Sequence, residues 1–230
     1  RTAKIVINGA GAAGQAIARL LFAYGIKTVV LCDTTGAIYE GREKNMNPYK
    51  DALAKVSNRQ KEKGTLAQLI KGKDIFIGVS APGSLTPEMI KSMSKDPVVM
   101  AMANPVPEIL PDEAKAAGAR IVCTGRSDFP NQVNNLLAFP GIFRGALDVR
   151  AKEINEEMKI AAAGAIASLI HESELNETNI IASPLDPRVA PTVAAAVAEA
   201  ALNTGVARRT DITPSAVAAH TRELLGHTLG

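Results

Sequence analysis

At 230 residues the chain has room for one large α/β domain, or for one domain with an appended helical part. It is 47% hydrophobic but only 3% aromatic and lacks Trp, so its core must be built from Ala, Val, Ile and Leu, a set suited to close helix-on-sheet packing. The net charge of +3 is the difference between 26 basic and 23 acidic residues with no basic block, which argues against a nucleic-acid partner; no apolar run nears the ~20 residues of a membrane span, and no basic-then-apolar leader opens the chain.

The chain begins Arg1-Thr2-Ala3 without an initiator Met and is in its first strand by Lys4, which raises the expectation of a fragment or one part of a larger enzyme. Residues 4–33 read as a nucleotide-binding β-turn-α-β unit. The apolar run Ile5-Val6-Ile7 enters Gly9-Ala10-Gly11-Ala12-Ala13-Gly14, which fits G-x-G-x-x-G. In that spacing Gly9 permits a tight turn, Gly11 lets the backbone approach a pyrophosphate, and Gly14 lets the helix lie close to the strand. N–H groups at the helix start then face the phosphates. A helical stretch (Ala16, Ile17, Leu20, Leu21) and a second strand, Thr28-Val29-Val30-Leu31-Cys32, lead to Asp33, 19 residues after Gly14, where a carboxylate can hold ribose hydroxyls. The glycine pattern alone also suits a purely structural strand-helix turn; the flanking elements and the acid favour a dinucleotide.

A polar loop, 34–47, carries Gly36, Gly41, Arg42 and Lys44. Helices are expected at 48–56 and 65–70, a strand at 74–79, and then the turn Ser80-Ala81-Pro82-Gly83. A helix at 86–93, a strand at 98–102 ending in Ala103-Asn104-Pro105, a helix at 111–117 and a strand at 120–123 complete the alternation. This order predicts an α/β fold, a doubly wound Rossmann-type parallel sheet with helices on both faces, whose strand C-terminal ends form the ligand edge. The last third changes character. An Ala-rich helix is expected at 152–171, a last strand at 180–184, and helices at 191–203 and from 213 onward, with the Ala-rich faces packing on the sheet. No repeat, low-complexity segment or linker interrupts the chain.

Cys32 and Cys123 each end a strand; they form neither a disulfide framework nor a zinc spacing and read as buried reduced thiols of a cytoplasmic protein. His171, His220 and His227 are scattered and read as helix-surface or C-terminal residues. In the loop Asp128-Phe129-Pro130-Asn131-Gln132-Val133-Asn134-Asn135, either of the last two amides suits a helix cap or, equally, an uncharged hydrogen-bond partner for a carboxylate or carboxamide.

The segment 124–148, together with Val6-Ile7-Asn8-Gly9 and the glycine run, Ala101-Met102-Ala103-Asn104-Pro105, and Ser183-Pro184-Leu185-Asp186-Pro187-Arg188, resembles the C-terminal NAD(P)-binding domain of bacterial-type malic enzymes along essentially the whole chain. The resemblance implies a part in oxidising L-malate with NAD(P)⁺ and decarboxylating the product to pyruvate. It assigns residues 1–230 to the cofactor domain. Gly9, Gly11, Ala12, Ala13 and Gly14 would hold the pyrophosphate and Asp33 the adenosine ribose. Ser80 and Ala81 would line the dinucleotide path, Asn104 and Asn134 would sit near the nicotinamide, and Asn104 and Asn135 would contact substrate. The family's proton-transfer Lys and Tyr and its Mg²⁺ or Mn²⁺ ligands lie upstream of the glycine turn, so no catalytic or metal-binding residue is expected here. Asp128, Asp148 and Asp186 read as loop or helix start, helix surface and turn. The full enzyme is expected to be a homo-oligomer.

Asp33 favours NAD over NADP by charge, although Arg42 and Lys44 could fold back and compensate. Two other readings compete: a different two-domain amino- or hydroxy-acid dehydrogenase, or a nucleotide-sensing module without catalysis. No G-x-x-x-x-G-K-[ST] supports phosphoryl transfer.

Overall fold

In the computed structural model, which describes residues 2–228, the chain divides into two compact units, 1–130 and 131–230. In the first unit strands alternate with helices: β1 (Ile5–Asn8), α1 (Ala12–Ala23), β2 (Val29–Asp33), β3 (Gly36–Ala37), α2 (Pro48–Ala54), α3 (Leu66–Leu69), β4 (Ile75–Gly78), α4 (Pro87–Lys91), β5 (Val98–Ala101), α5 (Pro111–Ala116) and β6 (Ile121–Thr124). The sheet order is β3-β2-β1-β4-β5-β6, parallel throughout except for β3. Ile5 of β1 is in register with Val29 on one side and Ile75 on the other. From β1 the chain winds first to β2 and then returns to β4 on the opposite side. The switch point, where such sheets open a crevice at their C-terminal ends, lies between β1 and β4.

Side-chain alternation explains why both faces need cover. Ile5, Ile7, Val29, Leu31 and Ile77 pack with Ala18, Leu53 and Ala54 of α1 and α2. Val6, Val30, Phe76, Val99 and Val122 point the other way, onto Leu69, Ile90 and Ala114 of α3 to α5. Prolines start α2 and α4, where a missing N–H costs nothing. The preceding Asn47 and Thr86 accept from Lys50 N and Met89 N and cap them.

β3 was not legible. Residues 34–47 read as a polar loop, and a two-residue strand has no periodicity to reveal it. Local chemistry builds it: the Thr35 N–H donates to Asp33 Oδ1 at 2.9 Å, and Gly36, at φ +109°, turns the chain back so that Cys32 faces Ala37.

The second unit is helical, with a 3₁₀ turn at Asn135–Leu137 followed by α6 (Phe139–Asp148), α7 (Glu156–Ala167), α8 (Val189–Asn203) and α9 (Pro214–Thr228). α8 is its centre; Val193, Ala194, Val197, Ala198 and Ala201 are fully buried. The Ala-rich faces expected to lie on the sheet pack helix on helix. A Cβ at Gly141 would stand 2.6 Å from Val193 Cβ, and one at Gly145 only 2.4 Å from the Ala194 carbonyl oxygen, so α6 approaches α8 through its glycines.

The largest shifts in helix bounds are in α7. α7 begins at Glu156 rather than 152, because Asn155 accepts from Met158 N and caps it, and it ends at Ala167 rather than 171. Residues 180–184 form no strand. Ile180 N donates to the Asn131 side chain at 3.0 Å instead of to a neighbouring strand, and Pro184 has no N–H to offer.

Candidate functional site

The glycine turn has the geometry its spacing implies. Gly9 adopts φ +119°, and a Cβ there would fall 2.5 Å from the Val79 carbonyl oxygen. A Cβ at Gly14 would overlap the Gly9 carbonyl oxygen at 1.8 Å, so only glycine lets α1 start this close to its strand. At Gly11 a Cβ would meet nothing within 4 Å; the backbone there faces open space. Gly11 is also the N-cap of α1, with no side-chain hydrogen bond to the helix start and no acidic residue in the first turn. The leading N–H groups of a twelve-residue helix are therefore left to another acceptor, the electrostatic setting for a phosphate.

A cleft of about 400 Å³ beside this turn is lined by Asn8, Gly9, Asp33, Ser80, Ala81 and Ser84, among others, and thus brings together residues from the ends of β1, β2 and β4. The Asn8 amide donates to Ser80 Oγ at 2.7 Å and to Ser84 Oγ at 3.0 Å, fixing the loop after β4 against the end of β1. Its Oδ1 accepts from the Cys32 thiol at 3.4 Å. Burial, with the Asp33 charge beside it, pushes that thiol up to about 12 and leaves it protonated at neutral pH; burial alone takes Cys123 to about 11.

Asp33 is not a free carboxylate. Arg42 Nη2 donates to both its oxygens at 2.8 Å, Lys50 Nζ to Oδ2 at 2.7 Å and Asn45 Nδ2 to Oδ2 at 3.0 Å. Burial would raise its carboxyl, but the bonds from Arg42, Lys50 and Thr35 N–H together outweigh that and hold it below the ordinary carboxylate value. Arg42 does fold back; its other donors reach the carbonyls of Gly36, Ala37 and Lys44. Lys44 contributes that carbonyl and not its ammonium. The second cation is Lys50, which the sequence left unremarked within a helix. A neighbouring hollow of about 390 Å³ is lined by Thr35, Arg42, Lys44 and Lys63.

Asn104 is exposed in the loop after β5 and precedes a cis peptide to Pro105. The loop is held from inside by a residue that sequence reasoning missed. Glu108 is fully buried, and its carboxylate accepts from Ser80 N and from Ala103 N, each at 2.9 Å. The only hint was an acid set among Pro105, Pro107 and Pro111, where composition suggests nothing but a loop.

In the helical unit the two amides separate. Asn134 is the cap, its side chain accepting from Leu136 N at 2.9 Å. Asn135 is exposed and caps nothing. Asn131, buried at φ +55°, donates to the Glu177 carbonyl and accepts from Ile180 N. Asp148 is not helix surface: it is buried, and Arg144 and His220 both bond its carboxylate. Burial of an acid on α6 was legible only from knowing which helix packs there. Asp128 pairs with Arg126, and Asp186, in its turn, with Arg188. His171 is exposed, and the His227 side chain lies outside the described residues. Among the described residues no three His, Cys, Asp or Glu side chains group as metal ligands would, and no helix is long and apolar enough to cross a membrane.

Comparison with known proteins finds relatives along the whole chain. Residues 1–202 match the family model described as malic enzyme, NAD binding domain. The bifunctional malic/malolactic enzyme of Bacillus subtilis (strain 168) is 61% identical over 221 residues, covering 96% of this chain and 54% of that protein. The NAD-dependent malic enzyme of Geobacillus stearothermophilus is 54% identical over 209 residues, 91% of this chain and 43% of that protein. Further relatives are named NADP-dependent malic enzymes. The crystal structure of malic enzyme from Pyrococcus horikoshii superposes with a TM-score of 0.93 at 44% identity, over 99% of this chain and 54% of that one. The chain thus spans about half the length of these proteins. It belongs to the malic enzyme family, as the NAD-binding domain of that family.

Proposed function

We propose that this chain is the cofactor-binding half of an enzyme that oxidatively decarboxylates L-malate to pyruvate and CO₂ with reduction of NAD(P)⁺. The observation that carries this reading is the uncapped start of α1, which follows directly on Gly9, a residue that lines the cleft together with Asp33, Ser80 and Ala81. The N–H groups of Gly11, Ala12, Ala13 and Gly14 bind the pyrophosphate. Ser80 and Ala81 flank the dinucleotide, and the end of β2 at Asp33 meets the adenosine ribose. By family resemblance Asn104 and Asn134 serve the nicotinamide end, and Asn104 and Asn135 the malate carboxylates.

The nicotinamide, when bound, accepts hydride from malate. The domain's own contribution is to fix and orient it, and such positioning is a large share of the rate enhancement in a two-substrate reaction. The general acid and base, and the Mg²⁺ or Mn²⁺ expected of the family, belong to the other half of the enzyme. In this reading the protein is cytoplasmic, which the two buried, protonated thiols support, and the whole enzyme is a homo-oligomer with neither nucleic acid nor membrane as partner.

Gly11→Val tests the site. A Cβ there meets no protein atom within 4 Å, and a branched side chain built on it obstructs the approach of a pyrophosphate. The variant should melt within about 1 kcal/mol of the parent while calorimetric NADH binding disappears. A folded variant with unchanged affinity would sink the assignment.

A further inference from the structure

We propose that Glu108 is a positioning residue for the nicotinamide half of the bound dinucleotide, acting by clamping the loops after β4 and β5 to each other. The inference rests on the cleft being the dinucleotide site and adds to it the loop after β5, which carries Asn104.

Three observations converge. First, the carboxylate is fully buried, yet it accepts hydrogen bonds from two backbone N–H groups on different strand-end loops, Ser80 N and Ala103 N. Ser80 lies on the wall of the cleft, and Ala103 immediately precedes Asn104. Two bonds accepted by one rigid carboxylate, one from each loop, hold the two loops at a fixed spacing. Second, the backbone of the same residue closes the other end of the β4 loop, its carbonyl accepting from Leu85 N at 3.3 Å. Residues 80–85 are therefore gripped at both ends by Glu108. Third, the sheet makes room for the clamp. A Cβ at Gly78, the last residue of β4, would stand 2.4 Å from Glu108 Cδ and 2.6 Å from Oε1. The carboxylate occupies the space a side chain would take at the strand end.

The chain continues to the switch point. Ser80 Oγ accepts from the Asn8 amide, so Glu108, Ser80 and Asn8 tie the ends of β5, β4 and β1 into one hydrogen-bonded rim. The phosphate-facing turn at 9–14 does not touch Glu108 in any described hydrogen bond. Losing the clamp should consequently leave the adenosine-diphosphate end of the ligand in place and release the other end.

Glu108→Gln makes the test. Its amide NH₂ cannot accept, so one of the two N–H groups would face a donor. Calorimetry on the 230-residue chain with ADP and with NADH, together with amide hydrogen exchange, reads the result. The expected outcome is a tenfold or greater loss of NADH affinity, ADP affinity within twofold of the parent, and faster exchange at Ser80 and Ala103. Gly78→Ala, which displaces the carboxylate without altering it, should give the same selective loss and serves if Glu108→Gln does not fold. Equal losses for both nucleotides, or no loss in a folded variant, would overturn the proposal. A parent chain that binds neither nucleotide would overturn the cleft assignment itself, an outcome distinct from any effect of Glu108.

Discussion

Asp33 shows how a single carboxylate changes meaning with its neighbours. Read from sequence it opposes a 2′-phosphate and favours NAD. Folded, it shares its charge with Arg42 and Lys50, both nearly buried, so the group of three carries a net positive charge at the end of β2. A 2′-phosphate placed there would meet cations as well as an acid. The expected behaviour is acceptance of both NAD and NADP, with Arg42→Ala lowering the NADP-to-NAD affinity ratio tenfold or more, about 1.4 kcal/mol. Lys50→Gln should move the ratio in the same direction while sparing the carbonyl bonds that Arg42 makes. Calorimetry with both cofactors decides it; an unchanged ratio in both variants would remove the cluster from cofactor choice. The two amides at 134 and 135 also separate at this scale. Asn134→Ala removes a cap and should cost about 1 kcal/mol of stability. Asn135→Ala should leave stability intact and, in the full-length enzyme, lower kcat/KM for malate by roughly 10- to 150-fold, the worth of one hydrogen bond to a charged group. Normal malate kinetics with Asn135→Ala would end its substrate role.

Among the elements, legibility followed length and periodicity. The five parallel strands and the helices covering them were read near their true bounds, because buried parallel strands are continuous apolar runs separated by turn residues. The strand expected at 180–184 opened with an apolar run of the same kind, and only its closing Pro184 spoke locally against it. What decides its state is Asn131, 49 residues away, whose side chain takes the Ile180 N–H. Glu108 and Lys50 were invisible for the same reason, since their partners are set by the fold and not by sequence neighbours. The glycine run was legible because each position answers a separate steric demand. Those demands predict different phenotypes. Gly14→Ala forces a Cβ onto the Gly9 carbonyl, which is backbone and cannot swing away, so about 3 kcal/mol or more should be lost. Stability and binding should then fall together, unlike the binding-only loss expected of Gly11→Val. Denaturant melts of the two variants side by side check the contrast, and equal stability would refute the close helix start.

For the whole molecule, the division of labour follows from which chemistry this chain holds. The cleft residues Asn8 to Ser84 all belong to one compact unit, so in the proposed reading the adenosine-diphosphate end of the dinucleotide is held within that unit. Turnover, in the same reading, also draws on the other half of the enzyme. Decarboxylation of the oxidised substrate requires an electrophile to stabilise the enolate and groups to move protons. Among the described residues no cluster of three metal-ligating side chains exists, and the most deeply buried acids are already committed, Glu108 to two backbone amides and Asp148 to Arg144 and His220. Relatives about twice as long carry the name malic enzyme. The purified chain should therefore bind NADH yet form none from malate and NAD⁺, with Mn²⁺ present. Adding the remaining half of a malic enzyme, or fusing it, should restore turnover, and Gly11→Val in that reconstituted enzyme should abolish it again. Malate-dependent NADH formation by the chain alone would show that a catalytic group among these residues has been overlooked, and the exposed Asn104 loop would be the first place to seek it.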